Sequence, residues 1–252
     1  WLEYLVRYTH EYTFEPYLLE SWEVSEDAKT YLLKVRPGVT WSNGETLTAE
    51  HVAANIAAWC DGNAEGNSMA SRLSNLTDPK TKMAADGAIQ IVDDMTVQLN
   101  LSAADISIIP SISDYPAAVV HPSQIGEDPF ENPIGTGPYR LESFKVGVSA
   151  VLVRNAQNWW NVGNGAWLDR IEYIDYGTDP AATLSAFESG EIDVNYETVG
   201  DYIDILDGLG LVRNEALTAS TVVIRSNQKA EVEGKTPYAD IRVRKALALA
   251  VD

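Results

Sequence analysis

Thr30-Tyr31-Leu32-Leu33-Lys34-Val35-Arg36 is a β-rich run with imperfect apolar–polar alternation, closed by Pro37-Gly38. The pattern predicts a strand. Past Trp41-Ser42-Asn43-Gly44 the period changes: Val52, Ile56 and Trp59 recur at i, i+4 and i+7, with Thr48 placed as N-cap and Glu50 in the first turn. This spacing predicts a helix over residues 48–59 with one buried face. Residues 61–87 are rich in Gly, Asn, Ser and Asp. They read as a long surface excursion, and long ordered loops often carry function.

Ala88 to Val92 and Met95 to Leu101 flank Asp93-Asp94, and the second run alternates cleanly; a β-hairpin is predicted. Beyond residue 132, short strands are predicted at 139–144, 150–154, 171–176, 192–196 and 221–225. Among them lies a helix over 179–190, with Asp179 as N-cap, Pro180 at the first helical position and Gly190 just past the end. A final helical pattern runs from Ile241 to Asp252 with no Gly, Pro or Asn to end it. Strands mixed with occasional helices, without an internal repeat, indicate an α/β or mixed α+β fold.

Composition narrows the function. The 252 residues hold 37 Asp+Glu against 18 Lys+Arg, a net charge of −19 with no basic cluster. A phosphate backbone or an anionic lipid surface would be repelled, so no nucleic-acid partner is expected. The longest apolar run, Ala246 to Val251, is far short of the ~20 residues of a membrane helix. Cys60 is the one cysteine, so an internal disulfide and a thiol metal cluster are excluded. The chain opens on Trp1 without a basic and apolar leader, which suggests a processed, truncated or excised product.

Catalytic chemistry finds little support. The imidazoles are His10, His51 and His121, each in a different segment and without useful spacing. His51 is expected at the surface and His121, ahead of Pro122, in a turn. No metal motif of His, Cys or acidic-loop type occurs. Gly135-Thr136-Gly137-Pro138-Tyr139 fails as a phosphate loop because Pro138 removes an amide donor; it reads as a tight turn entering a strand. Asp93-Asp94 and Glu191/Asp193 suit a solvated turn and strand edge better than acid–base work. Trp159-Trp160, with Tyr139, Tyr196, Trp41 and Trp167, offer flat surfaces for burial or for stacking on a solute. The residues by themselves describe a binding protein without an evident reaction centre, so no catalytic residue, metal ligand or cofactor is assigned.

Eight strings, in order, resemble the family-5 solute-binding proteins of ATP-driven importers, the group that includes oligopeptide-, dipeptide- and nickel-binding proteins. They are Leu19 to Ser25; Tyr31 to Arg36 with Gly38 to Glu45; Leu47 to Val52; Asn132 to Tyr139; Arg154-Asn155 with Trp159-Trp160; Leu168 to Ile171; Ser189 to Asp193; and Asp240 to Leu247. The resemblance spans nearly the whole chain. It implies a periplasmic-binding-protein-like fold, an extracytoplasmic receptor of two lobes closing on a solute, with a domain inserted in the first lobe. Residues 1–121 would be that inserted α+β domain and 122–252 the return to a mixed-sheet lobe one. On this reading the chain is a fragment, lacking the second lobe and the first strand of lobe one.

The same resemblance implies the contacts. Relatives bring an aromatic of the long loop to the ligand; here Met69 stands in its place, with Arg72 close by. The end of the Glu-Ile-Asp strand corresponds to Tyr196, Glu197 and Thr198, and a later strand to Thr221. Tyr196 would stack or donate a hydrogen bond, Glu197 would attract an amine and Thr198 would fix orientation. The implied protein is a monomeric periplasmic or extracellular receptor, free or membrane-anchored. It would capture a peptide-like or small polar solute for an importer permease, without catalysis or cofactor. Three alternatives stay open: a metal or metal-chelate receptor of the same family, a carbohydrate-active hydrolase using paired carboxylates, and a structural or adhesive surface module.

Overall fold

The computed structural model describes residues 1–155, 159–196, 200, 202–215 and 223–250. The strands are β1 (Glu3–Tyr4), β2 (Val6–Tyr8), β3 (Phe14–Pro16), β4 (Leu19–Val24), β5 (Thr30–Val35), β6 (Ile89–Asp93), β7 (Thr96–Asn100), β8 (Ala118–Val119), β9 (Tyr139–Lys145), β10 (Ser149–Arg154) and β11 (Arg170–Ile174). The helices are α1 (Ala49–Trp59), α2 (Met69–Arg72), α3 (Ile108–Ser111), α4 (Pro180–Ser189), α5 (Tyr202–Gly208) and α6 (Ile241–Leu249). Two compact units divide the chain, residues 1–179 and residues 180–252.

The first unit is organised by an antiparallel sheet in the order β4-β5-β7-β6. Along β5, Tyr31, Leu33 and Val35 are buried and alternate with partly exposed neighbours, as a pleated strand with one covered face requires. Leu33 pairs with Val97 and Tyr31 with Leu99. Helix α1 covers this sheet, and the predicted stripe of Val52, Ile56 and Trp59 is buried in the same core. Thr48 occupies the N-cap position in extended conformation, but its side chain makes no capping bond. The Ala49 amide instead donates to the Asp94 carbonyl of the β6–β7 turn, 2.8 Å away, so a long-range acceptor replaces the local one.

Residues 61–87 are less of a surface excursion than their polarity suggests. Met69, Leu73 and Leu76 are fully buried, and the Asn67 amide donates to the carbonyls of Ala58, Trp59 and Asp61 at the end of α1. The three apolar positions stand at i, i+4 and i+7, a helical stripe hidden among small polar residues.

A second antiparallel sheet, β11-β10-β9, matches the strands predicted at 139–144, 150–154 and 171–176. In the second unit, α4 ends as expected: Gly190 is left-handed (φ 70°), its amide donates to the Phe187 carbonyl, and the Glu191 amide donates to Ala186. The strand expected at 192–196 is not formed; of the one expected at 221–225, residues 223–225 carry no ladder and residues 221 and 222 lie outside the described residues. A strand is stabilised by its neighbour, and no strand is described in this unit for those apolar runs to join.

Candidate functional site

Arg72 closes α2 on the surface of the first unit, and its Nη1 donates to Asp114 Oδ2 at 2.6 Å. Asp114 precedes β8 and caps the turn there, its Oδ1 accepting from the Tyr115 amide at 2.8 Å. The Arg72 hydrogen bond holds the Asp114 carboxyl below its ordinary range. Tyr115 is 77% exposed. Burial, and then the Asp114 charge, push the phenol of Tyr4 on β1 up. The pair is only partly buried, with both side chains reached by solvent. A guanidinium and a carboxylate side by side, next in sequence to the exposed Tyr115, can receive both an anionic and a cationic group of one small solute.

A second constellation is structural. Glu3 is 3% exposed and accepts from the indole N–H groups of both Trp159 and Trp160 at 3.0 Å, one on each oxygen. Burial pushes its carboxyl up, and these indole donors oppose the shift. The Arg36 guanidinium lies 4.9 Å above the Trp160 ring while donating to the carbonyls of Tyr17 and Leu19. Nearby, the Trp1 carbonyl accepts from the Gly137 amide at 2.9 Å. A Cβ on Gly135 would stand 2.3 Å from that oxygen, so this turn needs glycine for close approach. Asn155 donates to the Gly137 carbonyl, and Arg154 pairs with Asp169. Two of the strings noted in the sequence, Asn132 to Tyr139 and Arg154-Asn155 with Trp159-Trp160, therefore meet the first residues of the chain.

Two of the three histidines come together and the third stands apart. His10 is exposed beside Glu11. His51 is not the plain surface residue expected: it accepts a hydrogen bond from the Trp41 indole and lies 5.7 Å, ring to ring, from His121, which is 7% exposed in the turn before Pro122. Among the described residues no group of three His, Cys, Asp or Glu side chains is placed to hold a metal ion, and no helix is long and apolar enough to cross a membrane.

Residues 13–252 match the family described as bacterial extracellular solute-binding proteins, family 5 Middle. The chain belongs to that family. It is 29% identical over 256 residues to the nickel-binding periplasmic protein of Escherichia coli (strain K12), covering 99% of this chain and 46% of the relative. It is 26% identical over 253 residues to the periplasmic oligopeptide-binding protein OppA of Salmonella typhimurium, covering 94% and 44%. Among solved structures, NikA from Brucella suis in complex with Fe(III)-EDTA superposes with a TM-score of 0.65 at 30% identity, over 83% of this chain and 41% of that one. The chain thus spans about half the length of the curated relatives it matches. The mixed α/β fold is that of the periplasmic binding proteins of this family.

Within this family-5 chain, the residues singled out from the sequence fall into three places. Met69 is buried, 1% exposed, in the first unit's core. Arg72 is at the surface in the ion pair described above. Tyr196 is fully exposed in the second unit, and Glu197, Thr198 and Thr221 lie outside the described residues. Asp114 and Tyr115 escaped the sequence reading. Asp114 is 42 residues from Arg72, and no local pattern couples two positions so far apart.

Proposed function

We propose that this chain is part of the substrate-binding component of an importer, and that it captures a small polar or peptide-like solute without transforming it. Family membership supports the receptor reading, and the observation that carries the solute class is the half-exposed Arg72–Asp114 pair beside Tyr115. A solute carboxylate would be read by Arg72, a solute amine by Asp114, and an apolar stem by the tyrosine ring. Tyr196, Glu197, Thr198 and Thr221 are further proposed contacts, resting on the resemblance, and Met69 acts by holding α2 in place from below.

The course of the chain supports the proposed division into an inserted domain, 1–121, and a lobe-one segment, 122–252. Glu3 pairs with Val119 and Tyr4 with Ala118, so the two ends of the first segment lie side by side, as an insertion needs. The relatives named as periplasmic support a location outside the cytoplasm, and an importer permease is the proposed partner, resting on the resemblance.

Calorimetry with dipeptides, amino acids, oligosaccharides and metal chelates tests the reading. A zwitterionic solute is expected to bind, with at least a tenfold loss in Arg72→Ala and Asp114→Asn. Binding that ignores both variants would sink the role of the pair. A metal-chelate cargo is the second reading, favoured by the solved relative that holds Fe(III)-EDTA. The carboxylates of such a chelate would meet Arg72, and Asp114→Asn would then tighten binding instead of weakening it.

A further inference from the structure

Trp41, His51 and His121 meet where three segments of the first unit join. Trp41 lies in the loop after β5, His51 in the first turns of α1, and His121 just after β8. We propose that these side chains form an acid-sensitive latch. At neutral pH it fastens α1 and the segment after β8 to the 39–47 loop, and it lets go when His51 takes up a proton.

The argument begins with donor and acceptor chemistry. Trp41 Nε1 donates to His51 Nδ1 at 3.0 Å, and an indole nitrogen can only donate. Neutral His51 therefore carries its proton on Nε2. A proton added to Nδ1 would set one N–H against another. Trp41 is 1% exposed, so water does not replace the lost acceptor, and a stranded buried donor is costly.

His121 repeats the arrangement. Its Nδ1 accepts from the Ser123 amide at 3.3 Å and shares a proton with Ser123 Oγ at 2.8 Å, while its Nε2 faces Glu45 Oε2 at 2.8 Å. Each ring presents an acceptor nitrogen to a main-chain or indole N–H. Two imidazolium rings 5.7 Å apart would also repel.

The charged groups facing His51 are His121, Glu45 and Glu50. Burial first and His121 second lower its proton affinity, and they outweigh the two carboxylates, which raise it. A base whose folded pKa is lowered contributes stability above its unfolded value near ~6.5, and that contribution is lost as pH falls.

Release would be felt beyond the latch. The Trp41 amide donates to the Glu45 carbonyl, and the next amide, of Ser42, donates to the Gly135 carbonyl at 2.8 Å. The same loop thus holds the turn against which Trp1 lies.

The test follows the Trp41 indole N–H by ¹⁵N NMR in the full-length protein from pH 8 to 5. Its resonance should shift and broaden with the midpoint read from the His51 ring protons. Urea unfolding should show the folding equilibrium constant dropping about tenfold more from pH 7.5 to 5 in the wild type than in His51→Asn. The asparagine oxygen takes the place of Nδ1 and accepts at every pH. An indole signal that stays put while His51 titrates would overturn the proposal, as would an equal pH slope in wild type and His51→Asn. Should His51→Asn fail to fold, the wild-type resonance alone decides.

Discussion

The two units use similar kinds of residues and differ in what those residues meet. In residues 1–179, Leu5, Leu18, Leu33, Leu47, Leu73 and Val97 are fully buried in one core. In residues 180–252, Ala186 is the one buried residue among those described, while Val194, Val212, Ile224 and Leu249 stand exposed. Yet α4 and α6 are in place there, because their signals are local: the glycine stop of α4 and, for α6, the Asp240 carboxylate accepting from the Arg242 amide. Strands have no such independence, and the described residues of the two predicted in this unit carry no ladder. Helices survive on their own ends, whereas strands need a neighbour.

Several substitutions would break or sharpen that contrast. The largest effect is expected from Leu33→Ala, which empties a fully buried site and should cost ~2–5 kcal/mol in urea unfolding of the first unit. Leu249→Ala, at a position 86% exposed, should change stability by less than ~0.5 kcal/mol. Equal costs would abolish the distinction.

Next comes Gly135→Ala, whose Cβ would press on the Trp1 carbonyl at 2.3 Å. A loss of ~1–3 kcal/mol is expected, and an unchanged melting temperature would show that the first residues do not depend on this turn.

Glu3→Gln replaces one of two acceptor oxygens with a donor facing an indole N–H, and should cost ~1–2 kcal/mol at neutral pH. The pH dependence has a definite sign. Because burial raises the Glu3 pKa, its linkage contribution is full below the unfolded value near ~4.3 and is lost as pH rises through the folded one. The variant should remove that slope from a stability–pH curve, which a Glu3 titrating as in water would not show.

The smallest effect concerns the second unit alone. Gly190→Ala forces a side chain into a left-handed residue (φ 70°) and should weaken α4 by about 1 kcal/mol. Hydrogen exchange should register it in 180–191 and leave β5 and β7 unchanged; spread into that sheet would mean that the units unfold together.

What could be read in advance follows the reach of each interaction. The helix over 48–59, the hairpin around Asp93-Asp94 and the glycine stop at 190 rest on contacts a few residues apart, and they appear where the pattern put them. Met69 was visible as a position but not as a core residue, since its stripe with Leu73 and Leu76 is diluted by Asn and Ser. The Arg72–Asp114 pair was half legible: the arginine came from the resemblance, while its partner, 42 residues on, had no local signature.

From sequence alone came the family, the net negative charge, the helices at 48–59 and 179–190, the helical run from Ile241 and the hairpin around Asp93-Asp94, all matters of composition or of neighbours along the chain. Tertiary structure decided which buried carboxylate meets Trp159 and Trp160, since Glu3 lies more than 150 residues away. It also decided that two distant histidines share one indole. Those choices depend on how sheets and helices stack, and stacking balances contacts between segments that no stretch of chain contains by itself.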